Sequence, residues 1–119
     1  MNKISIPEKF NEVHAYWHPA VVGKLNGQAI KVVKLKGPFT WHFHEQEDEF
    51  FYVVKGSFIM EFRDRTEILN EGDGIIVPRG VEHRPVAEEE AWIMLFEPDS
   101  TLNTGNVINE FTQTKLPHL

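Results

Sequence analysis

Cysteine is missing from this 119-residue chain. That excludes a disulfide framework, a thiolate metal ligand and a cysteine nucleophile. Any bound metal must be held by nitrogen and oxygen. Basic residues are the minority, 12 Lys and Arg against 18 Asp and Glu, for a formal net charge of −6. Surplus negative charge repels nucleic acid and acidic membranes, and no basic stripe offsets it, so neither is expected as a partner. No apolar run approaches the length of a membrane span. The stretch Met1-Asn2-Lys3-Ile4-Ser5-Ile6-Pro7-Glu8-Lys9 lacks the apolar core of a secretory signal, so cytoplasmic location is the default expectation. No internal repeat, low-complexity tract or linker interrupts the chain, and its length suits one domain over residues 1–119.

Aromatic and β-branched residues are plentiful. Nine Phe and a 41% hydrophobic content suit an all-β interior. Residues 7–18 read as a short helix, with Pro7 in the first turn, Glu8 on the positive end of its dipole and Pro19 as the stop. From residue 29 the pattern turns to short strands: 29–35, 39–44, 49–54, 58–62, 67–69, 75–77, 83–86 and 92–97. Turn signals separate them, including Lys55-Gly56, Arg63-Asp64-Arg65, Pro78-Arg79-Gly80 and an acidic turn Glu88-Glu89-Glu90. With no helical crossovers, the sheets should be antiparallel and closed into a sandwich or barrel, its core about 29–98. The tail from Asp99 to Leu119 is weakly patterned. It can cover a barrel edge, cross to a second subunit or be partly disordered.

Four side chains stand out as candidate metal ligands: His42, His44, Glu49 and His83. In a strand, residues i and i+2 share a face, so His42 and His44 project together. Imidazole nitrogens bind Zn, Fe, Ni or Cu, and a carboxylate extends the range to Mn. Three nitrogens and one oxygen leave an octahedral ion two open positions for substrate. The carboxylate is ambiguous from the residues alone, because Glu45, Glu47, Asp48 and Glu49 cluster together. Glu49 opens an apolar strand, but Phe51 and Val53 on one face and Phe50, Tyr52 and Val54 on the other are both apolar, so parity does not decide. His14, His18 and His118 lie apart and read as exposed residues. Phe51, Met60, Phe62, Trp92, Met94 and Phe96 are candidate pocket walls.

The motif His42-x-His44, four residues, Glu49, six residues, Gly56 resembles the first motif of the cupin superfamily. The run Gly72, five residues, Pro78-x-Gly80, two residues, His83 resembles the second. Two departures stand out: four residues separate Gly37 from His42, and Ala87 occupies the place of a usual Asn. Similarity to small cupins of the mannose-6-phosphate-isomerase-like group runs from about Trp17 to Gly105. The resemblance implies a double-stranded β-helix, or jelly-roll barrel, with one divalent ion (Mn, Fe, Ni or Zn) on His42, His44, Glu49 and His83, with Asp48 the next carboxylate in line. It also implies a small-molecule ligand and a homodimer.

Three functions fit. The first is a metal-dependent, isomerase-like enzyme on a sugar or a hydroxy or keto acid. The second is a non-haem iron oxygenase. The third is a binding module that grips a small molecule unchanged. The four-ligand set shows no fifth candidate, and no general base stands out beyond the acidic loop.

Overall fold

The computed structural model describes residues 1–119. It is an all-β jelly roll preceded by one short helix, α1 (Ile6–Phe10). Seven strands follow: β1 (Ala20–Leu25), β2 (Gln28–Pro38), β3 (Glu49–Lys55), β4 (Ser57–Phe62), β5 (Thr66–Asn70), β6 (Gly74–Val77) and β7 (His83–Pro98). All pairings between strands are antiparallel. No helix is long and apolar enough to cross a membrane.

β7 organises the barrel. Its first residues, His83 to Val86, pair with β4. Its later residues, Trp92 to Phe96, pair with β3. β2 runs along its other side from Val86 to Pro98. One strand therefore pairs with β4 along its first arm, β3 along its second and β2 along both, and it must bend between the arms. The bend lies where Leu35 pairs with Ala91 but Gly37 pairs with Ala87. Glu88, Glu89 and Glu90 are the extra residues of this bulge, and all three are exposed. The acidic turn expected from composition is thus a bulge inside one 16-residue strand. The expected strands 83–86 and 92–97 are its two arms.

Three other expectations change. The helix stops at Phe10, not at 18. Phe10, Val13 and Trp17 are buried at helical spacing, but the Trp17 N–H donates to the Lys34 carbonyl at 2.9 Å. Backbone pairing with the edge of β2 competes with the helix and wins. Residues 39–44 form no strand. Beyond β2 the chain keeps a single bridge, His42 to His83. β1 was not anticipated at all; its pattern of three successive buried residues lacks the alternation that marks a strand.

Alternation elsewhere holds. Odd residues of β2, β3 and β7 face the barrel interior, where Val33, Leu35, Phe51, Val53, Ile93 and Leu95 join the main core cluster. Even residues face outward. Part of that outer face is covered by the N-terminal segment, where Phe10 stacks on Trp92 with centroids 4.8 Å apart. Trp92, Met94 and Phe96 thus lie outside the barrel. The tail covers an edge, one of its three expected fates. Val21 N–H donates to the Pro117 carbonyl and Leu119 N–H to the Val21 carbonyl, both at 2.9 Å.

Candidate metal centre

The four side chains picked out as candidate ligands converge. One ligand atom from each of His42, His44, Glu49 and His83 lies within 4.8 Å of every other, and all four residues are buried. Glu49 begins β3 and His83 begins β7. His42 is brought beside His83 by reciprocal backbone hydrogen bonds of 3.1 and 2.9 Å. His44 is fixed by its own carbonyl, which accepts from Gly80 N–H at 2.7 Å. That bond ties the ligand loop to the Pro78-Arg79-Gly80 turn. Asp48 secures the same junction by accepting the Arg79 N–H at 2.8 Å. Asp48 and Glu45 are exposed, while His14, His18 and His118 are surface residues.

Two rings have a fixed tautomer. His42 Nδ1 lies 2.9 Å from the Thr40 carbonyl and His83 Nδ1 lies 2.8 Å from the Val81 carbonyl. A carbonyl only accepts, so each Nδ1 carries its proton and each Nε2 presents a lone pair. Ala87, where the motif has Asn, is buried in the core and takes no part in this support. Burial pushes His42 down to about 4, with the nearby His83 adding to the effect. It is therefore neutral at pH 7, as a ligand must be.

The fit to a cation rests on what these atoms lack. Glu49 Oε1 sits 2.9 Å from His44 Nε2 and 3.3 Å from His83 Nε2. Neither approach has hydrogen-bond geometry, and all three atoms are buried without a partner. Buried polar atoms in proteins are nearly always satisfied. Three such orphans aimed at one another could hold a metal ion, and their nitrogen and oxygen chemistry suits a divalent transition metal.

A fifth group was missed. Glu97 is buried on β7 and belongs to the same interior face as Ile93 and Leu95. Phe50 pairs with Phe96 and Phe51 with Leu95, so one more step of that register sets Glu49 opposite Glu97. Lys31, also buried, reaches Glu97 Oε1 at 2.9 Å and the Thr101 carbonyl at 3.3 Å. Glu97 Oε2 has no partner. Burial, reinforced by the charge of Glu49, holds the Glu97 carboxyl well above the usual carboxylate range. Burial would raise Glu49 too, but the adjacent Glu97 carboxyl and the imidazoles of His44 and His83 hold it well below. The available signal was alternation: Glu97 follows two inward apolar residues at steps of two.

Beside the centre lies a narrow cavity of about 40 Å³, room for a few water molecules. Of the expected walls, Phe51 lines it. Met60 is core filling, and Phe62 packs against that core. Trp92, Met94 and Phe96 face away. Trp17, Val33, Leu35, Phe39 and Leu95 take their place.

An antiparallel jelly roll with three histidines and a glutamate gathered inside it defines a class of candidate metal-site barrels. This chain belongs to the cupin family: residues 31–96 match the Cupin domain, a span that includes all four candidate ligands. It is 29% identical over 84 residues to the uncharacterized protein YdbB of Bacillus subtilis, covering 70% of this chain and 72% of that one. Among solved structures it is similar to a cupin-2 domain containing protein from Shewanella frigidimarina, at 40% identity and TM-score 0.78, covering 80% of this chain and 93% of that one. KdgF from Halomonas is 31% identical with TM-score 0.59, covering 67% and 78%.

Proposed function

We propose that this cupin is a metal-dependent enzyme acting on a small oxygenated molecule, with His42, His44, Glu49 and His83 as ligands. The supporting observation is the group of orphaned atoms, His44 Nε2, His83 Nε2 and Glu49 Oε1, buried against one another. A divalent ion bound there supplies Lewis-acid polarisation of a carbonyl or hydroxyl oxygen. The chain's own residues do the rest. The backbone carbonyls of Thr40 and Val81 hold two imidazoles in register. The apolar walls leave room for only a few water molecules, and the low polarity around them strengthens electrostatic interactions inside. Glu97 stands outside the ligand set and faces the cavity, so it is the group placed to hold or move a proton at Oε2. Proton movement beside a polarised oxygen is isomerase-like chemistry, the reading favoured here over oxygen activation. The homodimer implied by the cupin resemblance belongs to the same reading, and the mass in solution tests it.

Elemental analysis of protein purified without chelators tests the centre. One equivalent of a divalent transition metal is expected, lost in His42→Ala and His83→Ala together with turnover. Full turnover by metal-free protein overturns the reading. Iron with consumption of O₂ moves the protein to the oxygenases, and a ligand bound but never converted makes it a binding module.

A further inference from the structure

A second cavity lies on the other side of the Lys31–Glu97 pair from the metal centre. It is a cleft of about 220 Å³ between β1, β2 and the tail, and it shares no wall residue with the cavity of about 40 Å³ beside the histidines. Lys31 belongs to its wall and is only 3% exposed. The Lys31 ammonium donates to Glu97 Oε1 at 2.9 Å and, more weakly, to the Thr101 carbonyl at 3.3 Å. An ammonium carries three N–H donors, so one is left for a ligand. Glu97 itself lines the metal-side cavity, not the cleft. On the cleft's own wall two ammonium groups, Lys24 and Lys31, face a single carboxylate, Asp99. Lys24 meets Asp99 at only 3.7 Å, and both are about half-exposed. A surface pair of that kind is weak and yields to a competing anion. Gln113 and Thr114 bring an amide and a hydroxyl to the same wall, and the Gln113 backbone N–H is anchored to Asn103 Oδ1 at 2.9 Å. Val21, Ala29, Leu102 and Leu116 supply apolar surface.

We propose that this cleft is a second binding site, for a small carboxylate with a short apolar tail. The carboxylate oxygens take the remaining Lys31 N–H and a donor from Lys24, Gln113 or Thr114, and the tail lies along Val21, Ala29, Leu102 and Leu116. Lys31 is the selective feature, because a charge-assisted hydrogen bond made away from water is stronger than one at the surface. A cation is opposed by both lysines, and a neutral amide or alcohol brings them no opposite charge. Occupancy also ties the tail to β2, since Gln113 and Lys31 then hold one molecule between them. The site stands independently of the metal-centred function proposed above.

Butyrate and butyramide test it, since they share a skeleton and differ in charge. An amide NMR titration of the full chain at constant ionic strength is expected to show saturable butyrate binding, with shifts centred on Lys24, Lys31 and Gln113. Butyrate is expected to bind at least about tenfold more tightly than butyramide, the ratio that one charge-assisted hydrogen bond produces. Chelation of the metal is expected to leave that affinity unchanged, which separates the cleft from an open position on an ion. The double substitution Lys31→Met with Glu97→Met removes the buried ammonium and its counter-charge together, so neither is stranded, and it is expected to abolish the preference for butyrate. Should that variant fail to fold, Lys24→Met at its half-exposed position takes its place: butyrate is expected to weaken several-fold while butyramide stays unchanged. No binding of butyrate, equal binding of butyramide, loss of butyrate binding on chelation, or a preference for butyrate that survives every variant that folds overturns the proposal.

Discussion

At the scale of single residues, buried charge and buried imidazole govern what can be measured. His42 has a folded-state value of about 4 against 6.5 when exposed. Between those values the unfolded chain takes up a proton that the metal-free folded chain refuses. Stability should therefore fall as pH drops from about 6.5 to about 4 and level off below, a loss of up to about 3 kcal/mol from this group. Urea titrations of chelator-treated protein across that range check it. Lys31 and Glu97 are a buried pair at 2.9 Å. Lys31→Met should cost about 3 kcal/mol, because it leaves a buried carboxyl without its counter-charge, and adding Glu97→Met should restore most of the loss. Recovery in the double variant separates a pairing effect from simple packing damage. The four candidate ligands could be picked out because their spacing resembles the cupin motifs; the residues alone left Glu49 tied with Glu45, Glu47 and Asp48. Glu97 escaped because an acidic residue at a strand end looks the same whether it faces water or the interior. Only the register across β3 and β7 reveals its neighbour.

Among the elements, Gly56 joins β3 to β4 at a positive φ of 84°. A Cβ there would approach the Glu90 carbonyl oxygen to 2.9 Å. Gly56→Ala should therefore destabilise the protein by about 2 kcal/mol or more, through both backbone strain and collision with the bulge. Denaturant midpoints give the value, and an unchanged midpoint would remove Gly56 from this role. Most strands were recognisable because inward and outward residues alternate through β2, β3 and both arms of β7. What composition hid was continuity. Three consecutive glutamates resemble a turn, yet a strand that pairs with β4 along one arm and β3 along the other needs a bend, and exposed acidic residues serve that bend equally well. The helix was overestimated for a related reason: Phe10, Val13 and Trp17 keep helical spacing although the chain past Phe10 is committed to pairing with β2. Local pattern does not report such competition from a distant strand.

Across the whole molecule, an ion that binds only the folded barrel adds stability in proportion to its occupancy. At a free concentration one hundred times its Kd, a bound metal contributes about 2.7 kcal/mol, so chelation should lower the Tm by several degrees. Calorimetric scans with and without chelator read this directly. The tail belongs to the same account. Phe111 packs against Phe39, and the carbonyl of Phe111 occupies the amide of Asn103. Gly105 lies so close to the Phe43 carbonyl that a Cβ would come within 2.2 Å of its oxygen. The last twenty residues are thus part of the enclosure on both sides, at the β1 margin and above the histidines. Any segment exchange between related barrels that stops at the final strand would carry over a hearth without its chimney wall. A hybrid of that kind should keep its fold yet admit bulk solvent to the histidine–glutamate cluster.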